Sequence, residues 1–406
     1  MNNIGLIGYG NARWIAGVHY QQGLLYGNSL LPPDQQAAFH LLLRREQHDP
    51  DHYQTMQPYL QSLYALDYFP SLRPEWSNRL RYVLRKALRE RKLAFPTNEF
   101  PRLLRALRID AIFPANDLIA PRRSVRQVSW ITDFQHVHLP EFFPAKEIAF
   151  RNQVFERLMR LSDTVIVSNQ FSYTDAVRLY PAYAHKVALL PFTMYLDQHW
   201  SEPDVAAYRQ QYGLPDKYLL FPSQFWKHKN HALLFEAIRL LRQRGVDDMV
   251  LVCTGSPHDY RAPAYFQQLQ QFITNHRLDT AIRILGLLPR HDQVQLMRGA
   301  AAVVQPSLFE GWSALLEDCR SLGKRVFASD IPMHHEQLTP QTTLFDPRSA
   351  HALAECLETH WPSLTPGPDP LLEATADHTY QQRIGQFAQR FITICQSVTQ
   401  RPLCNT

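Results

Sequence analysis

The sequence predicts an α/β fold of two doubly wound, Rossmann-like parallel-sheet domains that face a central cleft. Short apolar runs alternate with segments of helical periodicity, which is the pattern of parallel sheets covered by helices. This alternation stops near residues 192–203 and then restarts. The length of 406 residues also suits two or three domains, at roughly 100–200 residues each.

The first predicted domain spans residues 1–198 and begins with an apolar run at 4–8 that enters a glycine-containing loop. We expect a helix from about Trp14 or Ile15, followed by a polar, Gln- and Pro-rich stretch around 31–57. The remaining elements are expected as a helix at 76–93, strands at 110–114 and 127–131, a helix at 148–161, and strands at 163–168 and 187–191.

The second predicted domain spans residues 199–380 and repeats the pattern. Its strands are expected at 218–222, 249–255, 282–286, 302–306 and 325–328, with a helix at 232–243 that Gly245 ends. A last helix near 380–394 is expected to cross back to the first domain, so residues 381–406 form a separate C-terminal segment. Ligands of open α/β sheets bind at the carboxyl ends of strands, which makes the cleft between the domains the expected site.

Composition narrows the class of protein. A hydrophobic content of 45% with 19% charged residues is typical of a globular enzyme and excludes a disordered or fibrous chain. The five cysteines form no CxxC pair, so neither a disulfide framework nor a zinc site is expected. No signal peptide or spanning segment is recognisable, which predicts a soluble, cytoplasmic protein. The net charge of +5 favours an anionic partner such as a nucleotide diphosphate or a lipid surface, and no nucleic-acid partner is expected.

Acidic residues follow the predicted strand at 302–306. Glu310 and Gly311 lie in a short loop, and a helix begins near Ser313 and carries Glu317 and Asp318. Backbone N–H groups at such a helix start attract anions, and ionised carboxylates accept hydrogen bonds from sugar and ribose hydroxyls. The alternative is that Glu317 and Asp318 form a solvated helix face.

Basic residues follow the predicted strand at 218–222. Lys227 and Lys229 stand immediately before the next helix, where ammonium groups suit a diphosphate. The alternative is a basic surface loop. His228 and His231 have HxxH spacing but no third ligand close by, and the His334-His335-Glu336 run consists of adjacent residues that rarely chelate together, so no metal is expected.

A third polar group follows the predicted strand at 127–131. Asp133, His136 and His138 could act as acid, base or hydroxyl-binding groups at a cleft. Hydrogen-bonded structural histidines are the alternative.

Together these segments resemble glycosyltransferase family 4, and the resemblance extends over nearly the whole chain. Residues 309–323 look like the E-x7-E motif of that family, with Glu310 first and Asp318, in place of the usual Glu, second. Glu317 is the alternative second acid. Residues 224–231 are similar to the phosphate-binding loop, with Lys229 at the lysine position and Gln224 where the family usually has arginine. Lys227 is the candidate for the missing charge.

Three further segments share the resemblance. Residues 14–18, with Gly17, resemble the glycine loop that closes over donor phosphates. Residues 133–143, with Asp133, His136 and His138, are similar to a segment of bacterial members that faces the acceptor, and 329–334 to the loop after a donor-domain strand. The remaining donor-binding candidates in the motif are Gly311, Trp312 and Ser313.

The resemblance implies a retaining GT-B glycosyltransferase of a bacterial polysaccharide pathway. It would transfer a hexose, with mannose as the candidate, from a GDP- or UDP-linked donor to a saccharide or lipid-linked saccharide, without a required metal or other cofactor. Glu310 would bind the donor sugar, Asp318 or Glu317 the ribose, and Lys229 with Lys227 the diphosphate; His136 would be a positioning or acceptor residue. Two alternatives remain: a non-catalytic nucleotide-sugar-binding subunit, and a GT-B sugar-nucleotide epimerase.

The basic helix predicted at 76–93 has two interpretations. It is either a solvated helix that covers the first domain or a docking element for anionic lipid, through residues such as Arg85 and Arg89. The second interpretation would place the protein peripherally on the inner face of the membrane.

Overall fold

The structure, a computed structural model, describes residues 2–10, 16–45, 47–66, 99–116 and 125–399. The basic helix predicted at 76–93 lies outside these residues, as do Trp14 and Ile15. No helix in the described ranges has both the length and the apolar character needed to cross a membrane.

The strands and helices have the following bounds in chain order. The strands are β1 (Asn3–Ile7), β2 (Ala38–Arg44), β3 (Ser62–Leu66), β4 (Ala111–Phe113), β5 (Arg126–Trp130), β6 (Thr164–Val167), β7 (Val187–Leu189), β8 (Leu219–Pro222), β9 (Leu251–Thr254), β10 (Ile282–Ile284), β11 (Ala302–Gln305), β12 (Val326–Ser329) and β13 (Thr342–Phe345). The helices are α1 (Ala16–Ser29), α2 (Glu99–Ala106), α3 (Gln135–His138), α4 (Ala145–Leu161), α5 (Gln170–Leu179), α6 (Val205–Gln211), α7 (His231–Gln243), α8 (Tyr265–Asn275), α9 (Arg290–Gly299), α10 (Ala314–Ser321), α11 (Ala350–His360) and α12 (Pro370–Thr399).

The chain divides into two compact units. Unit 1 comprises Met1–Thr132, Phe150–Tyr195 and Gln381–Thr406, and unit 2 comprises Asp133–Ala149 and Leu196–Tyr380. The predicted domain 1–198 therefore differs from unit 1, because Asp133–Ala149 makes its contacts within unit 2. The last helix is also longer than predicted and begins at Pro370.

Unit 1 contains a parallel sheet in the order β3-β2-β1-β4-β5-β6-β7. From β1, the chain adds β2 and β3 on one side and then β4 and the later strands on the other. The direction therefore reverses between β1 and β4, which is where a doubly wound sheet offers a crevice for a ligand. β2 and β3 were not predicted, because only the short apolar core of β2 stands out among polar flanks.

The core of unit 1 is aromatic and joins its first and last helices. Tyr20 of α1 stacks on Trp130 of β5 with ring centroids 4.3 Å apart, and it meets the edge of Phe387 of α12 at 5.2 Å. Phe113 of β4 meets Phe391 of α12 at 4.9 Å. These residues are buried, and burying large aromatic side chains contributes strongly to domain stability.

Unit 2 contains a parallel sheet in the order β10-β9-β8-β11-β12-β13. Its direction reverses between β8 and β11. Both strands are fully buried and, except for Gln305 at the end of β11, apolar, as expected for central parallel strands covered by helices on both faces. Two doubly wound parallel sheets are thus present, and the predicted fold class is confirmed.

Candidate functional site

The loops that follow β8 and β11 meet at the switch point of unit 2. The N–H of Leu308 donates to the carbonyl oxygen of His228 at 2.9 Å. The side-chain amide of Asn230 donates to the carbonyl oxygens of Pro306 at 3.1 Å and Pro347 at 2.9 Å. Asn230 has φ 64°, a left-handed conformation that asparagine tolerates better than most residues. These bonds fix the two loops against each other.

Lys229 and Glu310 form an ion pair where these loops meet. Nζ of Lys229 lies 2.6 Å from Oε1 of Glu310, and their side chains are only 17% and 8% exposed. Nε2 of Gln305, the last residue of β11, donates to the same oxygen at 2.9 Å. The structure therefore brings together the lysine and the first acid that the sequence singled out.

Hydrogen bonds from polar side chains hold the start of α10. Ser313 caps this helix by accepting the N–H of Leu316 at 3.2 Å. The side chain of Gln337 accepts from the N–H of Ser313 at 3.0 Å and donates to its carbonyl oxygen at 2.9 Å. Gln305 and Gln337 were not predicted, and a glutamine 24 residues away from its partner gives no local signal in sequence.

Asp318, at the second acidic position of the motif, forms an ion pair with Arg290. Asp318 accepts two hydrogen bonds from Arg290, at 2.7 and 2.5 Å, and its side chain is 4% exposed. Its neighbour Glu317 is buried, accepts from Gln337 at 3.3 Å and lies 3.5 Å from Arg320. Both carboxylates therefore have an arginine partner. Arg290 was not predicted, because it begins a helix 28 residues before Asp318.

His334 is a further buried polar group near the Lys229–Glu310 pair. Its Nδ1–H donates to the carbonyl oxygen of Ser329 at 2.9 Å, which leaves Nε2 as an acceptor. Among the described residues, Nε2 has no hydrogen-bond partner. Burial lowers the pKa of His334 to about 4, and the charges of Glu310 and Lys229 also act on it. The ring is therefore neutral at neutral pH.

The predicted histidine segment lies in unit 2. Asp133 accepts the N–H of Gln135 at 2.9 Å and so supports the start of α3. His136 is buried, with its ring 6.3 Å from that of Phe143. The ring of His138 stacks on the ring of Phe309, with the two centroids 5.4 Å apart. Phe309 directly precedes Glu310 in the sequence.

A cavity of about 200 Å³ lies between this segment and the basic loop. Lys227 lines it, with Nζ 5.3 Å from the ring centroid of Phe142. The guanidinium of Arg261 lies 4.9 Å from the ring centroid of Phe143, bonds to Gln135 at 3.2 Å and pairs with an acid, Asp259, at 3.3 Å. The structure thus places Lys227 at this cavity and Lys229 at Glu310.

The other predicted donor-binding residues occupy different environments. Gly311 is partly exposed, and Trp312 is 9% exposed. Gly17 lies in unit 1, in the first turn of α1, in agreement with the helix expected from about Trp14 or Ile15. The buried residues of α1 begin at Gly17 itself, which places it on a packed helix.

No cluster of three or more His, Cys, Asp or Glu side chains within the described ranges could hold a metal ion. The charges at the site are instead those of Lys229, Arg290 and their acidic partners.

Comparisons with known proteins give a family match for part of the chain and a shared fold for the whole of it. Residues 204–359, which include Lys229, Glu310 and Asp318, match the family described as glycosyl transferases group 1. The chain is 23% identical over 259 residues to the O-antigen chain mannosyltransferase B of Escherichia coli, covering 62% of this chain and 67% of that protein.

Solved structures share the fold over nearly the full length. Anabaena HepE in complex with UDP and glucose is 16% identical, with a TM-score of 0.66 over 98% of this chain and 100% of that chain. A glycosyltransferase from Rickettsia africae is 14% identical, with a TM-score of 0.65 over 99% of both chains. The chain therefore has the GT-B fold, and the family match over unit 2 supports a glycosyltransferase.

Proposed function

We propose that the protein is a retaining glycosyltransferase that moves a hexose from a nucleoside diphosphate sugar to a saccharide or lipid-linked saccharide. The observation that supports this most directly is the Lys229–Glu310 ion pair at the switch point of unit 2. A nucleoside diphosphate sugar presents two chemistries next to each other, an anionic diphosphate and a ring of hydroxyl groups. One cation and one carboxylate are complementary to those two parts.

Donor binding would replace the contact between Lys229 and Glu310 with one contact from each of these residues to the donor. The diphosphate takes the ammonium of Lys229, and the sugar hydroxyls take the carboxylate of Glu310, which Gln305 keeps in place. Both side chains are largely buried, so their interactions with the donor are stronger than they would be in water. The Asp318–Arg290 pair and Glu317 are the candidates for contact with the ribose.

The reaction then depends on positioning and charge. A hydroxyl of the acceptor attacks the anomeric carbon on the face from which the diphosphate leaves, so the configuration is retained. A carbon–oxygen bond forms as the bond to the diphosphate breaks, and the hydroxyl proton passes to the departing phosphate. Lys229 stabilises the negative charge that develops there, so the mechanism requires no metal ion. His136, buried against Phe143, is proposed as a positioning residue.

The relatives suggest the donor and the acceptor class. Anabaena HepE was solved with UDP and glucose, and the Escherichia coli relative is an O-antigen chain mannosyltransferase. We propose UDP- or GDP-linked glucose or mannose as donors and a growing bacterial polysaccharide as the acceptor.

A thermal-shift panel of UDP, GDP, ADP and their common sugars tests the donor site. A ligand at a hundred times its Kd stabilises the fold by about 2.7 kcal/mol. One base should stand out, and NMR of the glycoside formed from that donor should show the donor's anomeric configuration. No response to any nucleotide would contradict the proposal.

Product analysis separates the two alternatives. Donor binding without release of nucleoside diphosphate, in the presence of acceptor, would indicate a binding subunit. Conversion of the nucleotide sugar into its epimer without glycoside would indicate an epimerase.

A further inference from the structure

One segment of unit 2 comes from the middle of the chain of unit 1. Asp133–Ala149, here called the histidine segment, belongs to unit 2 by its contacts, whereas Thr132 and Phe150 on either side of it belong to unit 1. Both ends of the segment therefore continue into unit 1. The positions of His136 and His138 within unit 2 must be fixed by tertiary contacts of the segment.

Arg261 contacts the histidine segment at two points. Its Nη1 donates to Oε1 of Gln135 at 3.2 Å, and its guanidinium lies 4.9 Å from the ring centroid of Phe143. Gln135 directly precedes His136 in the sequence, and the ring of Phe143 lies 6.3 Å from that of His136. Arg261 thus contacts one neighbour of His136 along the chain and another in space.

The same side chain is fixed to the loop between β8 and α7. Nε of Arg261 pairs with Asp259 at 3.3 Å, in an ion pair whose side chains are only 7% and 2% exposed. The other carboxylate oxygen of Asp259 accepts the backbone N–H of Lys227 at 3.3 Å. The guanidinium also lies 5.3 Å from the ring centroid of Trp226. Arg261 therefore links the histidine segment to the loop that carries Lys229.

The histidine segment also meets the loop that follows β11. The ring of His138 stacks on that of Phe309, and Phe309 directly precedes Glu310. Lys229 and Glu310 are the two residues that we propose to hold the donor. The segment therefore contacts, directly or through Arg261, both loops that supply the proposed donor site.

An arginine suits this position better than a lysine. A planar guanidinium donates from separate nitrogens in fixed directions and packs its face on aromatic rings. Here one nitrogen bonds to Asp259 and another to Gln135. A lysine could neutralise Asp259, but its single ammonium on a flexible stem would not hold both partners in the same directions.

We propose that Arg261 is a positioning residue of the transfer reaction, which holds His136 and His138 in place against the loops that bind the donor. It acts through Gln135 and Phe143 and not on the substrate itself. The effect on rate rests on the proposed function. The anchoring of the histidine segment is measurable without turnover.

Two variants test the role of Arg261 and keep the buried Asp259 next to a cation. Gln135→Met removes the hydrogen-bond acceptor on the segment, and Arg261→Lys removes the planar guanidinium. In each, kcat should fall by about tenfold or more, since a misplacement of about 1 Å can cost about 100-fold in rate. The Kd for the nucleoside diphosphate should stay within about twofold, because Lys229 faces the diphosphate. Arg239→Lys, which changes an ion-paired arginine of α7, is the matched control and should keep both values.

Hydrogen exchange followed by mass spectrometry detects the anchoring without turnover. Backbone amides of residues 133–143 should exchange faster in Gln135→Met and in Arg261→Lys than in the unmodified protein, because a contact that holds them is lost. Amides of α11, which is elsewhere in unit 2, should exchange at unchanged rates. Unchanged exchange in residues 133–143 would overturn the anchoring, whatever the activity of the protein.

The kinetic and exchange results together decide the role of Arg261. A lower kcat, nearly unchanged nucleotide affinity and faster exchange of the histidine segment support the proposal, and the retained affinity shows that the variants are folded. An unchanged kcat or an equal loss of nucleotide affinity overturns it. Full activity of Arg261→Lys also overturns it, because the charge alone would then be sufficient. Absence of transfer by the unmodified protein would count against the transferase and this role in it, while the exchange result would still decide the anchoring.

Discussion

The ammonium of Lys229 and the carboxylate of Glu310 neutralise each other across 2.6 Å. In the proposed function they bind two different parts of one donor, so each must leave the other when the donor enters. A nucleoside diphosphate without its sugar would take Lys229 and leave a carboxylate that is only 8% exposed without its cation. The intact donor supplies hydroxyl groups to that carboxylate. We therefore expect the pair to disfavour the product relative to the substrate.

Lys229→Ala should abolish most turnover and weaken nucleoside diphosphate binding by about tenfold or more. The variant removes the cation that faces the diphosphate, and a hydrogen bond to a charged group is worth about 1.5–3 kcal/mol. Initial rates and titration calorimetry measure the two effects. Lys146→Ala, which changes an exposed lysine of the same unit, is the control. Near-normal turnover in Lys229→Ala would remove the phosphate role.

Glu310→Gln should separate nucleotide binding from sugar binding. The amide keeps the shape of the side chain but no longer holds Lys229 as an ion pair, so a nucleoside diphosphate should bind at least as tightly as to the unmodified protein. Turnover should fall by about tenfold or more, since the carboxylate contacts the sugar hydroxyls. Calorimetry with the diphosphate and with the complete donor gives both affinities. Weaker diphosphate binding by Glu310→Gln would show that the pair does not compete with the donor.

Arg290→Ala should destabilise unit 2 by about 3–5 kcal/mol, because it leaves the buried Asp318 without its cation. The double variant Arg290→Met with Asp318→Leu should recover much of this loss. Urea unfolding measures each value. Arg239→Ala is the control, since its pair with Glu236 is more exposed and should be worth no more than about 1 kcal/mol. Equal losses in Arg290→Ala and Arg239→Ala would refute the buried-pair interpretation.

Acid should destabilise unit 2 through His231. The ring is fully buried between Phe225 at 4.2 Å and Phe221 at 4.5 Å, and burial, followed by the charge of Lys229, lowers its pKa to about 3. The unfolded chain binds the proton near pH 6.5 and the folded chain only near pH 3, so stability rises with pH between these values. Lowering the pH from 7 to 5 should cost about 2 kcal/mol from this residue.

His231→Phe removes the titrating group and keeps an aromatic ring in the stack. Its unfolding free energy should therefore fall less between pH 7 and pH 5 than that of the unmodified protein, as measured by urea unfolding at each pH. His258→Gln, at an exposed position, is the matched control for the loss of a histidine. Identical pH profiles for His231→Phe and the unmodified protein would contradict the assignment.

The sequence was sufficient to predict the two parallel sheets and to place Lys229 and Glu310 in the loops that follow two of their strands. Both follow from apolar runs that end in polar loops, because the carboxyl ends of parallel strands share one edge. Arg290 and Gln337 could not be found in the same way. Their partners, Asp318 and Ser313, are more than twenty residues away, and only tertiary packing brings them together.

One local error has a physical explanation. β2 was missed because its buried His40 shortens the apolar run and polar residues precede it, although the strand is paired on both sides.

The aromatic contacts of α12 determine which unit can complete its core first during translation. Phe387 and Phe391 belong to the core of unit 1, yet they are translated after the whole of unit 2, which ends at Tyr380. The sheet of unit 2 can therefore be completed on the ribosome while the core of unit 1 still lacks these side chains. Tyr20 and Phe113 are translated early, but their contacts with Phe387 and Phe391 can form only after the end of the chain has been translated. Stalling the ribosome before residue 387 should accordingly yield nascent chains whose second unit resists protease while the first is cut.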